Sequence, residues 1–371
     1  MPDVLIYADT VRSPELRHEI PLSVPDPFLY LERNGTRHVV THSLELPRLR
    51  ALSGLEVHPR EDYGLDELMR SGSDQYEIRD EIIARACREL GVSQAVVPGS
   101  FPLDVADALR ANGIDVGIDR ELFDRRRRVK SGAELEGMRR AQRAAEAGME
   151  AARAMLAEAL AGGKTITVEE VKAAILRRFL DLGASADELI VSHGPQSAVG
   201  HEAGFGEILR DEPIVIDLFP YDNESGVYAD MTRTFVFGEP SDELNEWYGL
   251  CKQALDRALG EIRAGVTGRS VFEGTCEIFE AAGYPTPRKK EDGVPLENGF
   301  IHSLGHGVGL EVHEAPSLGL LGTDPLVAGD AVSVEPGLYR PGFGGLRLED
   351  LVIVTDDGCE NLTDFPYELT L

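Results

Sequence analysis

The stretch Tyr228-Ala229-Asp230-Met231-Thr232-Arg233-Thr234 reads as a strand that carries an acid among apolar neighbours. A carboxylate loses its hydration on burial, so Asp230 needs a partner. The same demand recurs along the C-terminal half. Asp217 follows Ile214-Val215-Ile216, Glu335 ends Ala331-Val332-Ser333-Val334, and Glu349 lies in Leu346-Arg347-Leu348-Glu349-Asp350-Leu351. His306 sits in Gly305-His306-Gly307-Val308-Gly309, where glycines permit close backbone approach. Taken singly, a strand-end Asp reads as a turn residue and Glu349 beside Arg347 as an ion pair. Gathered in one pocket, four carboxylates repel unless they are protonated or neutralised. Two divalent cations balance them, whereas one leaves the pocket strongly negative. If these acids converge, a dinuclear metal centre is the expected occupant.

Working outward, strand signals at Leu189–Ser192, Ile214–Leu218, Tyr228–Phe237, Ala331–Glu335 and Leu346–Val354 alternate with helical ones. Ser131 caps a helix in which Leu135, Met138, Ala141, Ala145, Met149, Ala152 and Leu156 recur at three and four, running to Gly162-Gly163. Val171, Ile175 and Phe179 give a second helix that ends at Gly183, and Asp242–Ile262 and Val271–Ala281 give two more. Helix pair, strands, helix pair, strands suggests a duplicated architecture without a repeat in the letters. Residues 1–125 read as a small α/β domain, with strands at Asp3–Tyr7, Phe28–Leu31, Ala95–Val97 and Val116–Ile118. Asn34-Gly35 marks a hairpin, and Asp80–Leu90 and Leu103–Leu109 are helical. Arg125-Arg126-Arg127-Arg128 is expected to be a solvated linker, which starts the second domain, 126–371.

Composition limits the functions. A chain of 371 residues suits two domains, and 42% apolar with 27% charged residues is globular. The net charge of −28 argues against a phosphate-binding surface, so nucleic acid is disfavoured. No apolar run approaches a bilayer span, and the first residues lack a signal-peptide layout. Cys87, Cys251, Cys276 and Cys359 have no paired spacing, so a cytoplasmic setting is expected.

The segments Ile216-Asp217-Leu218, Asp230-Met231-Thr232-Arg233-Thr234, His302 through Glu314, Val334-Glu335-Pro336-Gly337 and Leu346-Arg347-Leu348-Glu349-Asp350 resemble the pita-bread metallopeptidases, which include methionine aminopeptidase, aminopeptidase P and prolidase. The resemblance covers the C-terminal two-thirds. The smaller first domain and the Arg-Val-Lys-Ser entry resemble the aminopeptidase P/prolidase branch. What this implies is an α+β chain: a creatinase-like α/β domain, then a catalytic domain of pseudo-twofold curved antiparallel sheets covered by helices. It also implies a homodimer.

By the same resemblance, Asp217 binds one metal through both oxygens, Asp230 and Glu349 bridge the pair, and His306 and Glu335 complete the second. Two Mn²⁺ or Co²⁺ ions suit this oxygen-rich set, with Zn²⁺ or Fe²⁺ as other candidates. Glu335 moves a proton toward the leaving nitrogen. His201 and His313 match substrate-contacting histidines, and His302 matches one near the residue after the cut. Thr232, two residues from Asp230, is expected to orient that carboxylate, and Arg347 to serve Glu349 and the substrate. Arg340 either reaches a substrate carboxylate or is solvated. In one departure, Asp217 and Asp230 lie 13 positions apart, with Leu218-Phe219-Pro220 in place of the usual Leu-Gly. The added length is expected in the tip, Asp222 to Gly226.

The activity implied is cleavage of an Xaa-Pro bond, that is, of a small peptide with proline second. A dipeptidase (prolidase) is favoured over aminopeptidase P because the first domain is compact. The alternatives are a metal-free, creatinase-like hydrolase and a binding module, both of which resemble branches that have lost the ligands.

Overall fold

The computed structural model describes residues 2–371. It divides into two compact units, Met1–Arg127 and Arg128–Leu371. The first is built on a six-stranded mixed sheet of β1 (Val4–Ala8), β2 (Phe28–Arg33), β3 (Thr36–Thr41), β4 (Leu55–Pro59), β5 (Gln94–Val97) and β6 (Asp115–Ile118), in the order β4-β3-β2-β1-β5-β6. Asn34 and Gly35 have φ of 51° and 80°, the paired left-handed residues of a tight hairpin turn between β2 and β3. Period-two alternation gives the sheet two apolar faces. Val4 and Ile6 pack with Phe28, Tyr30 and Val39, whereas Leu5 packs with Leu29, Leu31 and Val40. The helix expected at Asp80–Leu90 starts earlier, at Gln75, because Asp74 and Glu77 form a capping box.

The basic run is not a linker. Arg125–Arg128 ends the helix Arg120–Arg128, and Arg126 lies 2.8 Å from both Glu19 and Glu32. The break between units falls after Arg127, two positions beyond the 125/126 boundary read from the sequence. Arginine stems tolerate burial when the guanidinium finds carboxylates, which a count of like charges does not reveal.

In the second unit, Ser131 and Glu134 form a capping box that starts the helix Gly132–Gly162. Thr167 and Glu170 do the same for Val168–Asp181. A Cβ on Gly148 would stand 2.7 Å from the Phe179 ring, so glycine lets these two helices approach closely. They cover an antiparallel sheet of β8 (Ile190–His193), β9 (Pro213–Leu218) and β11 (Met231–Val236). A short pair, β7 (Ala184–Ser185) with β10 (Tyr221–Asp222), flanks it. Met149, Ile175 and Phe179 pack there on Ile214, Ile216, Met231 and Phe235.

The arrangement then recurs. Helices Asp242–Glu261 and Gly268–Ala281 cover a sheet of β12 (Gly305–Gly307), β13 (Glu314–Leu318), β14 (Ala331–Val334), β17 (Asp350–Val354) and β18 (Cys359–Asn361). Trp247, Leu255 and Phe272 pack on Val332, Val334, Val352 and Val354. A hairpin of β15 (Gly337–Arg340) and β16 (Gly344–Arg347) completes the unit.

The single strand expected over Leu346–Val354 is two. β16 pairs with β15, β17 pairs with β14, and Leu348 and Glu349 form the joint between them. At that joint the Glu349 N–H donates to Thr232 O at 3.0 Å, so the two sheets meet along β11. Arg233 locks the seam. It is 1% exposed, pairs with fully buried Asp350 at 3.0 Å, and donates to the carbonyls of Thr232, Glu349, Phe365 and Pro366.

Candidate metal centre

Strand alternation aims the acids. Ile214, Ile216 and Leu218 point to the helices, which turns Asp217 to the other face, and Thr232 stands directly across the ladder from it. Asp230, just before β11, shares that face with Thr232. Glu335 follows β14, and Glu349 enters from the joint. Ligand atoms of Asp230, His306 and Glu349 lie within 4.8 Å of one another. His306 Nε2 is 3.7 Å from Asp230 Oδ2 and 3.5 Å from Glu335 Oε1. Asp217 reaches the group through Arg347, whose guanidinium lies 2.5 Å from Asp217 Oδ2 and 4.0 Å from Glu335 Oε2. The five residues read as ligands are thus brought together.

Their electrostatics are those of a cation site. Burial raises the Asp230 pKa well above the carboxylate range, and Glu349, Asp217 and Glu335 push it further. Glu349 is pushed up to about 8, first by burial and then by Asp217. Glu335 is raised by burial and by Glu349, against Arg347. Asp217 Oδ1 is buried and has no hydrogen-bond partner among the described residues. A carboxylate oxygen with nothing to accept from, beside three acids held off ionisation, fits a metal ligand. The donor set, four carboxylates and one imidazole, fits divalent ions.

His306 is set up as the imidazole. Its Nδ1–H donates to Gly307 O at 3.1 Å, which leaves the Nε2 lone pair facing the acids. Burial, then His313, lowers its pKa to about 4, so the ring stays neutral. Glycine supports this geometry: a Cβ on Gly305 would stand 2.0 Å from Ser333 O.

Two positioning roles differ from the sequence reading. Thr232 donates to Glu349 Oε2 at 2.7 Å, not to Asp230. Arg347 is 5% exposed and makes its hydrogen bonds elsewhere than to Glu349, donating to Asp217, to Thr232 at 3.1 Å and to the Tyr339 hydroxyl at 3.2 Å, although its charge still acts on the Glu349 carboxyl. The kink between β16 and β17 explains both, because an unbroken strand would have set Arg347 and Glu349 on one face. Arg340 is neither a free carboxylate receptor nor merely solvated. It pairs with Glu243 and stacks over Phe343, 4.3 Å from the ring centre.

The three other histidines read as site residues lie near this group. The His313 ring lies edge-on to His306 at 4.1 Å, and burial followed by nearby His201 lowers its pKa. His201 and His313 are exposed. His302 donates through Nδ1 to Ser303 O at 2.6 Å, so its Nε2 accepts from the Tyr339 hydroxyl at 2.9 Å. Burial, then Arg347, lowers its pKa to about 3, and the imidazole is neutral.

Tyr339 is the residue the sequence reading missed. Its signal was faint: a strand tyrosine whose buried hydroxyl must find partners. Lys130, in the Arg-Val-Lys-Ser entry, forms a buried pair with Glu314. The long spacer between Asp217 and Asp230 is absorbed outside the site. Tyr221 bridges to Tyr228, and Asp222 is held by Arg140 at 2.8 Å and caps Ser225.

The model of metallopeptidase family M24 matches residues 136–356, more than half of the chain. The chain belongs to metallopeptidase family M24. Among M24 relatives, the probable dipeptidase PepE of Mycobacterium tuberculosis is 32% identical over 343 residues, covering 92% of this chain and 84% of that protein. The Xaa-Pro dipeptidase of Pyrococcus furiosus is 32% identical over 242 residues, covering 65% of this chain and 64% of the relative. An X-Pro aminopeptidase structure from Thermotoga maritima superposes with a TM-score of 0.81 at 25% identity, over 100% of this chain and 98% of that one. An Xaa-Pro dipeptidase structure from Bacillus anthracis gives 0.80 at 26% identity, over 100% and 95%. The two-unit α+β architecture is therefore shared along the whole M24 chain. Among the described residues, no helix is long and apolar enough to cross a membrane.

A pH dependence follows for the metal-free M24 protein. Glu349 has a folded pKa of about 8 against 4.5 unfolded, so over this window the folded chain holds a proton that the unfolded chain has released. Stability then falls as pH rises. Protein stripped with chelator is expected to melt lower at pH 8 than at pH 6, and added Mn²⁺ to remove most of the difference. A melting temperature flat with pH in stripped protein would contradict the crowding of the acids.

Proposed function

We propose that this chain is a dinuclear metal-dependent exopeptidase that hydrolyses the Xaa-Pro bond, with dipeptides as its preferred substrates, and that the second unit, Arg128–Leu371, carries the chemistry. The observation that carries the reading is the convergence of three buried acids and half-buried Glu335 on a neutral His306, with one Asp217 oxygen lacking a hydrogen-bond partner among the described residues. In this reading Asp217, Asp230, Glu349, His306 and Glu335 hold the ions. When bound, two divalent ions would supply Lewis acidity, lowering the pKa of water and withdrawing charge from the scissile carbonyl. The oxygen-rich donor set suits Mn²⁺ or Co²⁺, with Zn²⁺ or Fe²⁺ as other candidates.

The chain's own residues do the rest. Exposed His313, against His306, and exposed His201, near His313, bind the substrate carbonyl and steady charge as it develops on the oxygen. Glu335 takes the proton that water gives up and passes it to the prolyl nitrogen. Addition of water forms the C–O bond and puts charge on the carbonyl oxygen; once the secondary amine is protonated, the C–N bond breaks as the carbonyl re-forms. Neutral His302, oriented by Tyr339 and Arg347, packs beside the residue after the cut. Arg347 acts through Asp217 and Tyr339 as a positioning residue. The relatives' dipeptidase names support the substrate class. The acidic composition with four free thiols supports a cytoplasmic setting, and the aminopeptidase P/prolidase likeness supports a homodimer.

The test compares Ala-Pro, Ala-Pro-Ala and Ala-Ala with Mn²⁺ supplied. Turnover of Ala-Pro is expected to exceed that of Ala-Pro-Ala about tenfold or more in kcat/KM, a difference of about 1.4 kcal/mol in transition-state binding. A preference for Ala-Pro-Ala would move the assignment to aminopeptidase P. Silence on both would remove the Xaa-Pro reading.

A further inference from the structure

The sheet of the N-terminal unit brings three further metal-ligating side chains to one point. β3 and β4 run parallel, with His38 opposite Glu56 and Val40 opposite His58. Residues two apart on a strand share a face, so pairing alone sets His38, Glu56 and His58 on one side of the sheet. Their donor atoms then converge. His38 Nδ1 lies 3.2 Å from His58 Nε2 and 3.2 Å from Glu56 Oε2, and all three ligand atoms fall within 4.8 Å of one another.

Hydrogen bonding alone leaves this cluster in conflict. A neutral imidazole has a single N–H. With the proton on His38 Nδ1, one hydrogen faces two acceptors. With it on Nε2, a ring lone pair faces a carboxylate. Protonating both rings places two cations in contact. Burial lowers the His38 pKa, with Glu56 opposing and His58 adding to the fall, so this ring tends to keep a lone pair.

A cation between the three atoms turns every repulsion into attraction. Tetrahedral zinc with bonds of ~2.0–2.1 Å holds its ligand atoms about 3.3 Å apart, close to the spacing of both measured pairs. We propose that His38, Glu56 and His58 form a divalent-cation site of the zinc class, using none of the residues of the M24 centre. Glu56 is exposed, so the fourth position opens to water. The ion ties β4, the edge strand of the sheet, to β3.

Zinc bound to the full chain is counted by equilibrium dialysis against micromolar zinc chloride with elemental analysis. The background is Asp230→Asn/Glu349→Gln, which weakens the M24 centre, and the readout is the difference between chains that vary only at the new site. His58→Gln is expected to lower the count by about one zinc per chain, since ligand loss abolishes binding at a three-ligand site. Glu56→Gln, exposed and close in shape, is expected to lower it at limiting zinc with an unchanged circular dichroism spectrum. This second variant decides the matter if the first fails to fold. Equal counts in all three chains overturn the site, whatever the M24 centre binds.

Discussion

Asp230→Asn is expected to lower kcat/KM on Ala-Pro by about 10³-fold or more, a loss of about 4 kcal/mol in transition-state stabilisation, while the protein stays folded. Asp230 is 4% exposed and lies among Glu349, Glu335 and His306, so no water-filled space replaces a missing ligand. Asparagine keeps the shape and removes one charge from a crowded set. The prediction is therefore double. Metal retained after dialysis should fall, and the chelator-stripped variant should be more stable than the stripped parent at pH 8, because the folded chain no longer has to hold that carboxyl off ionisation. A variant with full activity would show that Asp230 is not a ligand. One that is inactive but less stable when stripped would show that Asp230 is structural.

Arg233→Met is expected to cost about 3–5 kcal/mol in unfolding free energy, read as a lower midpoint in urea. The guanidinium is 1% exposed and faces Asp350, which is fully buried. Removing it leaves Asp350 with Asn361 at 2.7 Å and the Tyr367 hydroxyl at 2.5 Å, but with no opposite charge from β11. The carbonyls of Glu349, Phe365 and Pro366 lose their donor as well. Replacing both partners, Arg233→Met with Asp350→Leu, should recover part of the loss, since apolar packing carries no desolvation debt. An unchanged midpoint in the single variant would mean that the seam is held by other contacts.

Much of the site was legible because buried acids are costly and therefore informative. Asp217, Asp230, Glu335 and Glu349 each stood out as a charge inside or beside an apolar strand, and the resemblance added His306 and the outer histidines. The helix pairs were legible from spacing, and the Asn34-Gly35 turn from the conformations that its residues favour. What failed were statements about partners across the fold. Thr232 was matched to Asp230 by strand period, yet its hydroxyl turns to Glu349, which arrives from another sheet. Arg347 was assigned through an unbroken strand, and the kink before Asp350 is set by a bond to Thr232 O that no local pattern encodes. Tyr339 carried no charge to betray it. The arginine run misled for a related reason: its local composition is polar, but the Glu19 and Glu32 that receive Arg126 lie about a hundred positions away.

Glu349 sits where β16 hands over to β17, with its N–H tied to one sheet and its carboxylate held by a threonine of that same sheet. Catalytic competence therefore belongs to a joint, not to either slab that the joint connects. A breathing motion that parts the slabs slightly would dismantle the chemistry while both remain intact. On heating, loss of turnover is accordingly expected to run ahead of the loss of helix.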